Sequence, residues 1–181
     1  MRHIVLVLIA LTATARADDP EDEDAYFASF PKLSIAAGVT GHSARIDGKS
    51  EDGMAGVLEL AYGRGRWQYL VEGDLGATNL QTTMTSQVTG RRERGAAGMR
   101  WLARQFIPFD PMAVELYLRG TAGIEHYQWV DDTHLSRPDL DVGLSFALRW
   151  FRRPHLFVRF DVDMVFAAAD TGATAGMVVG W

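Results

Sequence analysis

The sequence contains no cysteine. Disulfide frameworks, thiolate metal sites and cysteine nucleophiles are therefore excluded. Lysine is nearly absent too: of 18 basic residues only Lys32 and Lys49 are lysines, and the others are arginines. Basic residues are outnumbered by 23 acidic ones, leaving a formal charge of −5. That is the wrong balance for a protein that must displace counterions from nucleic acid. Also missing is any uninterrupted apolar stretch near the ~20 residues of a membrane helix. Yet 48% of the 181 residues are hydrophobic, a composition that folds, and 18 glycines point to many turns or close backbone approaches.

The longest apolar run is short and lies at the start. Met1-Arg2-His3 precedes Ile4 to Leu11, and Ala15-Arg16-Ala17 gives the small-x-small pattern read by signal peptidase. Residues 1–17 are expected to be a cleaved signal peptide. Asp18-Asp19-Pro20-Glu21-Asp22-Glu23-Asp24 cannot pack, so residues 18–31 are expected to form an acidic periplasmic linker, leaving 32–181 as the folded unit.

From Lys32 onward the apolar residues recur every second position. The eight segments begin with Leu33-Ile35-Ala37-Val39, Met54-Gly56-Leu58-Leu60-Tyr62, Trp67-Tyr69-Val71 and Ala97-Met99-Trp101-Ala103. They continue with Met112 to Ile124, Leu140 to Trp150, Leu156 to Phe166 and Ala173 to Trp181. Most are about as long as the 9–11 residues of a strand that crosses a bilayer, and no segment has a helical period. Longer gaps are expected at Ala44–Asp52, Thr78–Gly90 and Trp129–Pro138, alternating with tighter turns. This predicts an all-β fold, an eight-stranded antiparallel up-and-down transmembrane β-barrel.

Alternation alone does not say which face is inside. A soluble lipocalin-type barrel would turn the apolar face inward around a ligand. A membrane barrel turns it outward. The opposite face here carries Glu59, Glu72, Asp74, Glu115, Glu125, Asp141, Asp161 and Asp163 against Arg100, Arg104, Arg119, Arg149 and Arg159. Among them are many small residues, such as Gly98, Gly143 and Ala147, that make room for long side chains in a narrow lumen. Tyr62, Trp67, Trp101, Trp150 and Trp181 sit near segment ends, as interfacial aromatics do. The charged face is thus expected inside, as an arginine–carboxylate network that plugs the barrel, because guanidinium forks bridge carboxylates well.

The last eight residues, Thr174 to Trp181, carry a resemblance. They are similar to the C-terminal signal of bacterial outer-membrane barrels, polar-x-Gly-x-x-hydrophobic-x-aromatic, with Thr174, Gly176, Val179 and Trp181 in the four defining positions. Val179 is aliphatic where an aromatic is common, and Trp181 stands where phenylalanine is most usual. With the alternating segments, the sequence resembles small eight-stranded barrels of the OmpA/OmpX type over Lys32 to Trp181. The resemblance implies an outer-membrane location, recognition by the barrel assembly machinery, and contact with lipid and lipopolysaccharide.

Nothing in the sequence calls for a cofactor or metal. His42-Ser43 invites a hydrolase reading, but adjacent strand residues point to opposite faces. His126 falls on the lipid-facing register, and His134 falls in a loop near Asp131 and Asp132. Asp161 and Asp163 share a face with Arg159, which favours a salt-bridge network over a catalytic pair. The expectation is a monomeric, non-enzymatic barrel with a structural or surface-interaction role or a narrow conductance. The alternatives are a lipid A-modifying enzyme of the same fold and a secreted lipocalin-like lipid binder.

Overall fold

The structure is a computed structural model that describes residues 32–63, 65–83, 86–109, 112–150, 156–167 and 170–181. The expected signal peptide and acidic linker lie outside the described residues. Eight strands follow one another: β1 Leu33–Ile46, β2 Lys49–Tyr62, β3 Trp67–Gln81, β4 Gln87–Phe109, β5 Met112–Trp129, β6 His134–Trp150, β7 Phe157–Ala167 and β8 Asp170–Gly180. Each pairs antiparallel with the next, and β1 pairs with β8 to close the barrel. The seam runs from Ala36↔Gly180 to Ala44↔Gly172. Reciprocal bonds between the backbones of Ile35 and Trp181, both 3.0 Å, finish it. Closure leaves no sheet edge along this seam, and every ladder group there has a partner.

The faces divide as the alternation predicts, with the apolar side chains outside. Leu58, Val71, Leu75, Val142, Val162 and Met164 are exposed on the outer wall. Glu59, Arg100, Glu115, Ser145 and Arg159 are buried inside. A lipocalin-like arrangement with the apolar face inward does not hold. The inward small residues have a second reason beyond making room. A Cβ on Gly98 would run into the backbone of Gly120 and Thr121 on β5, so no other residue fits there without a shift.

The long gaps expected between strands are corrected. Ala44–Asp52 is a hairpin whose only turn residues are Asp47 and Gly48, both at positive φ (50° and 76°), the geometry of a tight primed turn. Thr78–Gly90 and Trp129–Pro138 are mostly ladder, and β4 alone has 23 residues. These segments do alternate: polar residues face out, and Ile46, Leu80, Val88, Trp129 and Leu135 face in beside the buried Glu51, Thr78 and Arg137. Inside this far end, opposite the end where Leu33 and Trp181 lie, Ile46, Tyr127 and Trp129 form an apolar cluster with Leu80, Val88 and Leu135. The Tyr127 and Trp129 rings stack at 5.4 Å. Two smaller clusters, Ala36–Phe157–Val178 and Leu102–Tyr117–Ala147, lie inside toward the other end.

Candidate functional site: the lumen charge network

Between these apolar clusters the lumen is filled with ion pairs. Near the chain-terminal end, Arg149 Nε donates to Glu115 Oε1 at 2.8 Å, and the Tyr117 hydroxyl donates to Glu115 Oε2 at 2.8 Å. Above them Arg159 grips two carboxylates. Its Nη1 and Nη2 donate to Glu59 at 2.9 and 2.5 Å, and its Nε donates to Asp161 Oδ1 at 2.7 Å. Arg100 adds a second guanidinium to Glu59 at 2.8 Å. Arg119 reaches Glu72 at 2.7 Å and lies 3.3 and 3.5 Å from Asp161 and Asp163. Planar forks that span two acids suit such a lattice, whereas an ammonium would serve fewer partners.

Three further arginines continue the network toward the far end. Arg94 donates to Asp139 at 2.6 Å and Glu72 at 2.5 Å, and lies 2.9 Å from Asp141. Arg92 donates to Glu125 at 2.7 Å and to Asp74 at 3.3 Å. Arg137 joins Glu125 at 2.9 Å and reaches the backbone carbonyl of Arg45 at 3.2 Å. Last, His42 Nε2 is 2.7 Å from Glu51 Oε1, which also accepts from the Thr78 hydroxyl. Because both partners of each pair are removed from water, losing one would strand the other.

Twelve of the thirteen lumen positions expected from the sequence lie in this network. The exception is Arg104. A bulge skips Ala103, so Leu102 pairs with Tyr117 but Arg104 pairs with Leu116 on the outer face. Its guanidinium lies over the Phe106 ring at 5.4 Å instead. The extra residue reverses parity, which alternation cannot register. Sequence reading missed His42, Glu51, Arg92, Arg94, Arg137 and Asp139. The signal was available: Arg92-Arg94-Ala96 and Arg137-Asp139-Asp141 continue the inward parity of their strands beyond the apolar segments.

The network is not charge-balanced. Among the described residues ten carboxylates point in (Glu51, Glu59, Glu72, Asp74, Glu115, Glu125, Asp139, Asp141, Asp161, Asp163) against seven guanidiniums (Arg92, Arg94, Arg100, Arg119, Arg137, Arg149, Arg159). A cavity of about 30 Å³ remains mid-lumen, lined by Glu72, Asp74, Asp141, Asp163 and the threonines 40 and 174, among others. No three histidine or acidic side chains among the described residues are placed to hold a metal ion.

Of the terminal signature, Thr174 and Gly176 face this cavity, and the Thr174 hydroxyl donates to Asp163 at 3.4 Å. Val179 and Trp181 lie on the outer wall. Tyr62, Trp67 and Trp181 are each more than half exposed, and Trp67 packs beside Trp101 at 6.2 Å. Trp101 and Trp150 are half-buried. All five aromatics gather at the chain-terminal end.

Polar chemistry also appears on the outer wall, at the far end. Glu93, His126 and Ser136 are direct cross-strand neighbours. His126 Nδ1 is 2.8 Å from Ser136 Oγ. His134 opens β6 rather than lying in a loop, and stacks on His126 at 5.8 Å. Arg91 pairs with Glu93 at 2.7 Å, both well exposed. In the turn after β5, the Thr133 N–H and hydroxyl both donate to Asp131, at 3.1 and 2.5 Å. They hold its carboxyl below the usual carboxylate range. His42 faces in and Ser43 out, so they cannot act together.

No family model matches the chain, and no curated protein does. Solved structures do. Neisserial surface protein A aligns with a TM-score of 0.57 at 9% identity, over 83% of this chain and 96% of that one. Ail, the attachment invasion locus protein of Yersinia pestis, in complex with the heparin analogue sucrose octasulfate, aligns at 0.48 with 12% identity, over 82% and 95%. The N-terminal β-barrel domain of Pseudomonas aeruginosa OprF gives 0.37 at 12% identity, over 82% and 97%. The chain has the fold of the small eight-stranded outer-membrane barrels.

Proposed function

We propose that this protein is an integral barrel of the bacterial outer membrane, with a plugged lumen that conducts no solute. Its role is non-enzymatic: it serves the envelope as a structural element and through its polar far-end rim. The observation that supports this most is the pairing of an apolar outer wall with a dense ion-pair lattice inside, bounded at each end by apolar clusters. Strands can span lipid only when the sheet is closed, and this sheet is closed. An eight-stranded barrel has an interior just wide enough for side chains to fill. The ring of aromatics at the chain-terminal end suits one membrane interface, and on this reading Leu33 and Trp181 lie at the periplasmic side with the far-end hairpins outside.

The barrel sits among lipid and lipopolysaccharide as a monomer and needs no cofactor. Its assembly goes through the barrel assembly machinery, which reads Thr174, Gly176, Val179 and Trp181. In planar bilayers the purified barrel is expected to stay electrically silent, and regular conductance steps would overturn the plugged-lumen reading. Fractionation should recover it with outer membranes, whereas recovery from the periplasm without detergent would overturn the location. Trp181→Ser should reduce the folded, heat-modifiable band on SDS gels. An undiminished band would remove Trp181 from the assembly signal.

A further inference from the structure

The bulge in β4 re-aims a charge. Inward positions on this strand fall on Arg100 and Leu102, and an unbroken ladder would put Arg104 next in that series. Because Ala103 stands outside the pairing, Arg104 takes the outward place instead, opposite Leu116, and Phe106 follows it opposite Val114. Bulges commonly redirect a side chain in this way. The row that Arg104 joins is otherwise apolar, since Leu116 pairs with Phe146 and Phe146 with Phe160. Each arginine inside the barrel has a carboxylate within ion-pair distance. Among the described residues no carboxylate pairs with Arg104, and its guanidinium meets the Phe106 ring at 5.4 Å.

Phe106 lies two residues nearer the chain-terminal end, so the guanidinium is drawn along the wall toward that end. Long basic side chains snorkel in this direction, out of hydrocarbon and toward an interface. The aromatic belt marks the level independently. Trp101, the nearest paired outward residue before the bulge, packs beside Trp67 at 6.2 Å. A lone cation on a lipid-facing wall is costly at mid-membrane and tolerated only near the edge of the hydrocarbon. We infer that Arg104 is a lipid-headgroup site, whose guanidinium holds the phosphodiester of a glycerophospholipid in the leaflet at the chain-terminal end. The two free oxygens of that group match the planar guanidinium fork, and its negative charge supplies the counter-ion that the wall lacks. The acyl chains then lie against the apolar outer wall. This rests on the membrane-barrel reading above and gives that reading a particular lipid contact.

Insertion into phospholipid vesicles, read as the heat-modifiable band, is scored first. A chain that does not insert defeats both readings. For the inserted barrel extracted into detergent, native mass spectrometry with added phosphatidylglycerol should show one tightly held lipid. Diacylglycerol with the same chains but no phosphate should be held more weakly. Arg104→Gln should fold as the wild type does and hold phosphatidylglycerol roughly tenfold more weakly, the scale of one lost charge-assisted contact. Arg91→Gln, at the far end, should hold it as the wild type does. A barrel that inserts but shows equal retention by wild type and Arg104→Gln defeats this site alone. So does an equal loss in Arg91→Gln, or diacylglycerol held as tightly as phosphatidylglycerol. If Arg104→Gln does not fold, Arg104→Met carries the same expectations. Failure of both to fold would overturn the site, since an outward side chain that serves lipid is not needed for folding in detergent.

Discussion

The two ends of the barrel wall are built on opposite polarity. In the belted half Leu58, Val71, Val142 and Val162 face out, and Glu59, Arg100, Arg159 and Asp161 face in. In the far-end extension Thr89, Arg91, Gln128 and Ser136 lie on the outer face, while Ile46, Leu80, Tyr127 and Trp129 fill the inside. The same strands run through both, so the switch happens within β1 to β6 without a break in the ladder. Only β7 and β8 do not reach it: the β6–β7 ladder stops at Leu140↔Phe166, while β6 continues to His134 beside β5. The comparison teaches that one sheet can satisfy two solvents in succession. What changes is which side of each strand holds the apolar residues.

Five substitutions would break or sharpen this contrast. The largest effect is expected from Arg159→Met. It leaves Glu59 with Arg100 alone and Asp161 with Arg119 alone, and removing one partner of a buried pair costs about 3–5 kcal/mol. Urea unfolding in detergent should register that loss, and a change below about 1 kcal/mol would mean the lattice is well hydrated. Leu144→Arg, on the outer wall opposite Val162, should cost about 2–4 kcal/mol in bilayers. Gln128→Arg, on the outer face of the extension, should stay within about 0.5 kcal/mol, as for ordinary surface changes. Equal penalties at the two sites would abolish the distinction between the halves.

Trp129→Ala probes the apolar interior of the extension. We expect about 2 kcal/mol, below the usual 3–5 for a buried aromatic, because the indole nitrogen is buried without a partner and already carries a desolvation penalty. Partitioning into bilayers should not change. A smaller loss than that of Trp129→Ala belongs to Gly48→Val in the β1–β2 turn. A β-branched residue forced to φ 76° should cost about 1 kcal/mol, read as a small drop in urea midpoint.

The sequence made the belted half legible because its apolar face and its charged face alternate over whole segments. Val39, Leu58, Val71 and Leu144 fall outside and Glu59, Glu115 and Arg159 inside by parity alone. The extension was less legible because its strands carry Ser, Thr, Gln and Arg on the outer face, which reads as loop composition. Arg92 and Arg94 were lost from the network in that way, as were Arg137 and Asp139, although their parity was continuous with that of Ala96 and Asp141. Arg104 failed for a different reason. A bulge at Ala103 changes parity by one residue, and nothing in the local composition marks it. Which carboxylate meets which guanidinium is set by stagger between strands distant in sequence. Arg159 on β7 finds Glu59 on β2 across the lumen, a contact no local pattern encodes.

The seam between β1 and β8 has a consequence for how the chain is made. Gly172 to Gly180 pair with residues synthesised well over a hundred positions earlier, from Ala44 back to Ala36. A chain halted before Gly172 can stack β1 to β7 but cannot complete the ring. Its two outer strands would keep free backbone groups that neither water in the hydrocarbon nor a neighbour could satisfy. The ring therefore closes only once β8 has been made, so a copy that lacks β8 is distinguishable from one that has it by its open strand edges alone.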